Sequence, residues 1–249
     1  GVVYLAKDLR IGRLLAMKQL YGKYSESAEI HHRFLQEARI AGQIDNPNIV
    51  TIFDVHEEGG VPCILMEYLA GGNLSTTLRL DAPLPERTAL DLIQGILNGL
   101  AAAHRMGVIH RDIKPPNILF DQTGTPKISD FGVAHLPREA GGIDVDASRH
   151  VAGTPCYMAP EQLHSDGQAV DARADLYAAG LMLYEMVTGE RFHEFRRPRS
   201  MSDLLGRIKA KGPPGNRDYP EGVSSDTKRL IARLLEINPD RRYPNAGIV

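Results

Sequence analysis

Between residues 110 and 117 the chain reads His-Arg-Asp-Ile-Lys-Pro-Pro-Asn, which sets a carboxylate at Asp112, an ammonium at Lys114 and an amide at Asn117 in one short proline-containing loop. A second carboxylate follows in Asp130-Phe131-Gly132. Two carboxylates and an amide can converge on a magnesium ion and a hydroxyl nucleophile, the groups that phosphoryl transfer must hold together. None of these residues is decisive alone, because Asp, Asn and Pro are also common turn formers.

Residues that must converge from distant positions need elements to carry them. Val2 to Leu5, Leu14 to Gln19, Ile49 to Val55 and Pro62 to Tyr68 are β-branched or alternating apolar runs punctuated by Gly12, Gly59 and Gly60, and they read as strands of an antiparallel sheet. Between them Ile30, Phe34, Ala38, Ala41 and Ile44 recur at helical spacing, as in an amphipathic helix packed on that sheet. Leu69-Ala70-Gly71-Gly72 reads as a flexible connector, and beyond Asn73 the pattern is mostly helical. Glu86 to Arg105 places Ala89, Ile93, Ile96, Leu97, Leu100 and His104 on one face and ends at Gly107. Asp175 to Thr188 is apolar nearly all round and closes at Gly189, as a buried helix would. The stretch from Asp130 to Glu161 has little periodic pattern, and an unstructured loop of that length is usually functional or disordered.

Composition narrows the class. The 249 residues are 43% hydrophobic and 24% charged, enough for one large domain or two small lobes and too apolar for disorder. Lys and Arg number 29 against 31 Asp and Glu, a net charge of -2 that leaves no electrostatic footprint for nucleic acid. The longest apolar stretch, Leu176 to Val187, is broken by polar residues and falls short of the ~20 residues a membrane span needs. Cys63 and Cys156 show no C-x-x-C spacing, so neither a disulfide framework nor a zinc site is expected, and a reducing, cytoplasmic setting is the default. His31-His32 carries no metal reading, because adjacent helical residues face different directions. The chain opens on Gly1-Val2-Val3-Tyr4, inside a strand-like run, and reads as a piece of a longer protein that could be membrane-anchored elsewhere.

The order and spacing of these motifs resemble the protein kinase catalytic domain, in its Ser/Thr branch and in bacterial wording. The resemblance rests on Ala16-Met17-Lys18, Glu37 in the first helix, the loop from His110 to Asn117, Asp130-Phe131-Gly132 and Ala159-Pro160-Glu161, and it covers the chain to about Asn245. It implies an α+β, two-lobe fold, with an N-terminal lobe over 1–68, a hinge at 69–72 and a C-terminal lobe over 73–249 that contains an activation segment at 130–161. It further implies transfer of the γ-phosphoryl group of ATP to protein Ser or Thr hydroxyls, with Mg²⁺, or Mn²⁺ as the alternative ion.

The roles carry over residue by residue. Lys18 would hold the α- and β-phosphates, Glu37 would orient Lys18, and Asp112 would receive or align the substrate hydroxyl proton. Lys114 would neutralise the γ-phosphate, while Asn117 and Asp130 would hold the metal. Val3, Ala16 and Leu119 would sandwich the adenine, with Met66 at the back of its pocket and Glu67 and Leu69 offering hinge backbone groups. Gly1 would be the last glycine of the phosphate-covering loop, whose earlier glycines lie outside this sequence. Arg242 would pair with Glu161, Asp175 would brace the catalytic loop, and His110 would pack under Asp130-Phe131-Gly132. Control by phosphorylation is expected at Ser148, with Arg111, Arg33 and His135 as the phosphate pocket and Thr154 as a structural hydroxyl. Protein substrates, and a homodimer for phosphorylation in trans, are the expected partners.

Two rivals stand beside this reading. A small-molecule phosphotransferase shares part of the loop pattern, but the Ala159-Pro160-Glu161 ending argues against it. A pseudokinase docking module would be expected to lack a lysine or carboxylate that is present here. Arg191 to Arg199 interleaves aromatic and basic residues, and is expected to be a solvated loop.

Overall fold

The computed structural model describes residues 2–20, 28–131, 155–163, 170–193 and 200–249, with the side chains of 28–33, 37 and 155 left out. Strands β1 (Val2–Lys7), β2 (Leu14–Gln19), β3 (Ile52–Glu58) and β4 (Val61–Glu67) form one antiparallel sheet of order β1-β2-β4-β3. Gly59 and Gly60 alone join β3 to β4, at φ 58° and 80°. A two-residue hairpin turn with both φ values positive matches the twist of its strands and excludes most side chains, which is why two glycines stand there.

The register of the sheet places the chemistry. Val3 lies opposite Lys18 and Lys18 opposite Ile64, while Leu5, Ala16 and Met66 form the next row on the same face. Helix α1 (Ala28–Ala41) lays Phe34, Leu35 and Ala38 against Ile64, Met66, Leu20 and Val50 on that face. Lys18 therefore emerges into an apolar layer and is only 9% exposed, which excludes a solvated edge lysine.

The third strand departs from expectation. It begins at Ile52 rather than Ile49, because the backbone at Ile49 and Val50 pairs with Ile128 of the other lobe, while the Val50 side chain stays in the layer beneath α1. Val50 N–H donates to Ile128 O at 2.9 Å, and Ile128 N–H donates to Asn48 O at 2.8 Å. The amide of Asn48, buried itself, adds a bond to Pro126 O at 2.9 Å.

The expected flexible connector is also pinned. Gly71 N–H donates to Phe120 O and Phe120 N–H donates to Gly72 O, each at 3.0 Å. A Cβ on Gly71 would stand 2.6 Å from Asp121 O and 2.7 Å from Phe120 O, so the close approach requires glycine.

Helix α2 (Leu74–Asp81) follows, with Asn73 as its N-cap, accepting from Thr76 N–H at 2.9 Å. Helix α3 (Glu86–Arg105) has the expected bounds and buries the expected apolar face. A second, two-stranded sheet, β5 (Ile118–Phe120) with β6 (Pro126–Ile128), was too short to signal itself in the sequence. Helix α4 (Arg173–Thr188) is buried from Ala174 through Val187 and packs between α3 and α6 (Ser225–Leu234). Helix α5 (Met201–Lys211) precedes α6 and buries Leu204 and Ile208.

The basic-aromatic stretch after α4 is anchored where it is described. Phe192 and His193 are buried, with Phe192 ringed by Tyr184 at 4.9 Å and His193 Nε2 hydrogen-bonded to Tyr177 Oη at 2.9 Å. Their apolar and aromatic area is worth more against α4 than in solvent, and it overrides the charge pattern from which a solvated loop was expected.

Candidate active site

Helix α4 sets the loop that carries Asp112. Asp175, in its first turn and 1% exposed, accepts from Arg111 N–H at 2.7 Å and from His110 N–H at 2.9 Å. His104 Nε2, from the end of α3, lies 2.8 Å from the same carboxylate. This clamp holds Arg111 at φ 64°, a left-handed conformation that costs a branched or long side chain about 1–3 kcal/mol. Gln162 closes the other side, with Nε2 donating to Arg111 O at 2.8 Å while its Oε1 accepts from Ala159 N–H at 2.9 Å. Gln162 and His104 escaped the sequence reading, since nothing in their spacing marks them as partners of the loop.

Within the loop the polar groups converge. Lys114 Nζ lies 2.7 Å from Asp112 Oδ2. Asn117, buried in a 3-10 turn begun by Pro115, donates from Nδ2 to Asp112 O at 2.8 Å and to Asp112 Oδ2 at 3.2 Å. That leaves the Asn117 amide oxygen as its unassigned end.

Asp130 arrives from the far side. Ser129 N–H and Oγ both donate to Asn117 O, at 2.9 and 3.1 Å, tying the segment after β6 to the loop that carries Asp112. His110 Nε2 lies 2.8 Å from Ser129 O, and its ring sits 4.8 Å from that of Phe131. Asp130 itself takes φ 63°, and its Oδ1 meets Lys18 Nζ at 2.6 Å. Residues 112 positions apart thus form one ion pair, with side chains 11% and 36% exposed.

Of the other sequence-derived candidates, Ala16, Leu69 and Leu119 are partly buried against the cluster that contains Met66. Val3 stands across from Lys18 on β1 and is 58% exposed. The side chain of Glu67 is committed elsewhere, accepting from Thr51 N–H at 2.7 Å and from Lys127 Nζ at 2.8 Å, a link between the sheet and β6. Glu37 and Arg33 lie on α1, but their side chains are outside the described set. Gly1, His135, Ser148 and Thr154 lie outside the described residues.

Glu161 and Arg242 form a two-bond ion pair, 2.6 and 2.9 Å, with the guanidinium fully buried. Arg242 also donates to the carbonyls of Glu236, Ile237 and Arg173, so its remaining protons are satisfied rather than left bare in the core.

Comparison with known proteins follows the same outline. The family described as "Protein kinase domain" matches residues 1–248. The chain belongs to the protein kinase domain family. Serine/threonine-protein kinase PknB of Mycobacterium leprae is 35% identical over 98% of this kinase domain. Serine/threonine-protein kinase PknA of Corynebacterium glutamicum is 36% identical over 99% of it, as is a probable serine/threonine-protein kinase of Clostridium acetobutylicum. The kinase domain spans 39% of the length of that PknB and 51% of that PknA. Among the described residues no helix is long and apolar enough to cross a membrane.

Proposed function

We propose that this kinase domain transfers the γ-phosphoryl group of ATP to serine and threonine hydroxyls of protein substrates. The observation that carries the reading is the placement of Lys114 Nζ 2.7 Å from Asp112 Oδ2. A carboxylate that can take a hydroxyl proton then stands beside a cation that can offset charge on the moving phosphoryl group, and such transfer is mostly positioning and electrostatics. The hydroxyl of a substrate would approach Asp112 beside Lys114.

Lys18 is suited to the α- and β-phosphates, with Glu37 on α1 as the residue that orients it. Ala16, Leu69, Leu119 and Val3 would enclose the adenine in front of Met66, and backbone groups of Glu67 and Leu69 would pair with its edge. The Asn117 amide oxygen and the Asp130 carboxylate are hard oxygen donors on adjoining segments, a set that fits Mg²⁺ and admits Mn²⁺. An ion held there by Asn117 and Asp130 would offset the negative charge of the phosphate groups. Because ATP is the phosphoryl donor, the domain is placed on the cytoplasmic side of any membrane to which the whole protein is attached.

Control by phosphorylation belongs to the same reading. Arg111 Nε is shielded from solvent without a hydrogen bond to any described residue, as a guanidinium awaiting an anion would be. Ser148 is the proposed acceptor, modified in trans within a homodimer, with Arg33 and His135 as further partners and Thr154 held near Asp112. Mass spectrometry of active protein should find phosphate on Ser148, and full activity with Ser148 unmodified would refute this control.

The activity is tested with labelled ATP on Ser/Thr peptides and on aminoglycosides, for the parent protein and Asp112→Asn. Peptide labelling that falls roughly 10²–10⁴-fold in the variant is expected for loss of a general acid–base group. Labelling of the aminoglycoside alone would favour the small-molecule reading, and none at all a docking module.

A further inference from the structure

The face of the sheet opposite Lys18 carries a second group of polar side chains that the phosphoryl chemistry does not use. The register of β3 and β4 sets His56 opposite Cys63, and Glu58, two residues beyond His56, falls on the same face. Ile64, the neighbour of Cys63, points the other way, into the layer beneath α1. One nitrogen, one carboxylate oxygen and one sulfur from His56, Glu58 and Cys63 lie within 4.8 Å of one another.

Each member has a local environment that bears on its chemistry. Cys63 is fully buried, and its Sγ accepts from Gln19 Nε2 at 3.3 Å while facing Val61 O at 3.4 Å. His56 is half-buried, and its Nδ1 is shielded from water with no hydrogen bond to a described residue. Asp54 Oδ2 lies 3.1 Å from that nitrogen but outside hydrogen-bonding alignment, so it adds negative charge without satisfying the ring. Glu58 is exposed at the end of β3.

We propose that His56, Glu58 and Cys63 form a binding site for a zinc ion on the outer face of the N-terminal sheet. Thiolate sulfur, imidazole nitrogen and carboxylate oxygen together are a zinc donor set, with water as the fourth ligand, whereas Mg²⁺ takes oxygen ligands. Bonds of about 2.0–2.3 Å in a tetrahedron put ligand atoms roughly 3.5 Å apart, so the three side chains need to close by about 1 Å. Glu58 is free to rotate from its exposed position, and the strand pairing already fixes His56 against Cys63. On binding, the Cys63 thiol loses its proton to solvent, a sulfur–zinc bond forms, and the contact with Val61 O is given up. Gln19 Nε2 continues to donate to the sulfur, and a thiolate accepts that bond more strongly than a thiol. The nearby Asp54 carboxylate favours the cation electrostatically. The absence of C-x-x-C spacing led to the opposite expectation, because here the ligands are brought together by cross-strand pairing rather than by proximity along the chain.

The site is tested with Co²⁺ as an optical probe, added to the purified protein in excess Mg²⁺ so that the carboxylates of the phosphoryl site are occupied. Expected is a near-ultraviolet sulfur-to-cobalt charge-transfer band that stoichiometric Zn²⁺ abolishes. The band should vanish in Cys63→Ser and persist in Cys156→Ser. Zinc affinity, measured by competition with a chromophoric chelator, should fall at least about tenfold in Glu58→Gln. If Cys63→Ser does not fold, His56→Gln, at a half-exposed position, should also lose the band. Cobalt bound without a sulfur band, a band lost only in Cys156→Ser, or equal zinc affinity in parent and Glu58→Gln would each overturn the proposal.

Discussion

Lys18 Nζ and Asp130 Oδ1 are 2.6 Å apart, a contact that joins the last residue but one of β2 to the residue two places beyond the end of β6. Each is the counter-ion of the other, although in the proposed reaction they serve different partners, phosphate for Lys18 and metal for Asp130. Asp130 is 36% exposed, so water screens the pair and its separation by a nucleotide is affordable. The two charges are thereby kept in position for the groups that replace them.

Lys18→Met should therefore abolish most phosphoryl transfer while leaving the fold intact. A fall in kcat of roughly 10²–10³ is expected for loss of one preorganised donor to transition-state charge. Steady-state kinetics beside far-ultraviolet circular dichroism checks both halves. A kcat within threefold of the parent would remove Lys18 from the phosphate site.

Asp175→Ala should be costly in a different currency, stability. It removes the acceptor of Arg111 N–H and His110 N–H and the partner of His104, all at or below 2.9 Å. Unpaired donors in a site 1% exposed, together with a loop released from φ 64° at Arg111, predict a loss of about 3 kcal/mol. Urea unfolding measures that loss, and kcat should fall as the loop relaxes. Unchanged stability would mean that the loop holds its shape without the clamp.

Gly71→Ala tests the connector. A Cβ there would overlap Asp121 O at 2.6 Å and Phe120 O at 2.7 Å, backbone atoms that cannot swing aside. The connector must shift, at about 1–3 kcal/mol, and with it the backbone of Glu67 and Leu69 that is proposed to meet the adenine. A raised KM for ATP with a smaller change in kcat is expected, and equal KM values would show that the contact is not felt at the nucleotide.

His193 supplies a pH dependence whose sign is fixed. Burial, and next the Lys211 cation, hold its pKa down to about 4, against an ordinary value of 6.5. Between those values the unfolded chain binds the proton and the folded chain does not, so stability is complete above about pH 6.5 and is lost as pH falls toward 4. The full loss is about 3 kcal/mol. Unfolding free energies at pH 7 and pH 5 should show part of this fall in the parent and less of it in His193→Gln. The same slope in both would assign the acid sensitivity to other groups.

Spacing along the chain was sufficient for the long helices, the apolar face of α3 and the ordered motifs, because helical periodicity and short polar loops are local properties. It also sufficed for the buried Arg242–Glu161 pair and for the bracing role of Asp175, although only through resemblance to a family. Local pattern failed where the contact partner was distant. Ile49 and Val50 read as strand, but β6 captured them across a long sequence separation. Phe192 and His193 read as solvated among arginines, but packing against Tyr184 and Tyr177 of α4 buried them. Leu69 to Gly72 read as loose, but Phe120 pressed against Gly71. The sequence by itself determined which chemistry the chain can carry, since residue types and their order state the donors, acids and bases available. Only the tertiary structure decided which of them meet, as with Lys18 and Asp130 or His56 and Cys63, because strand register and lobe packing bring together side chains that no local rule relates.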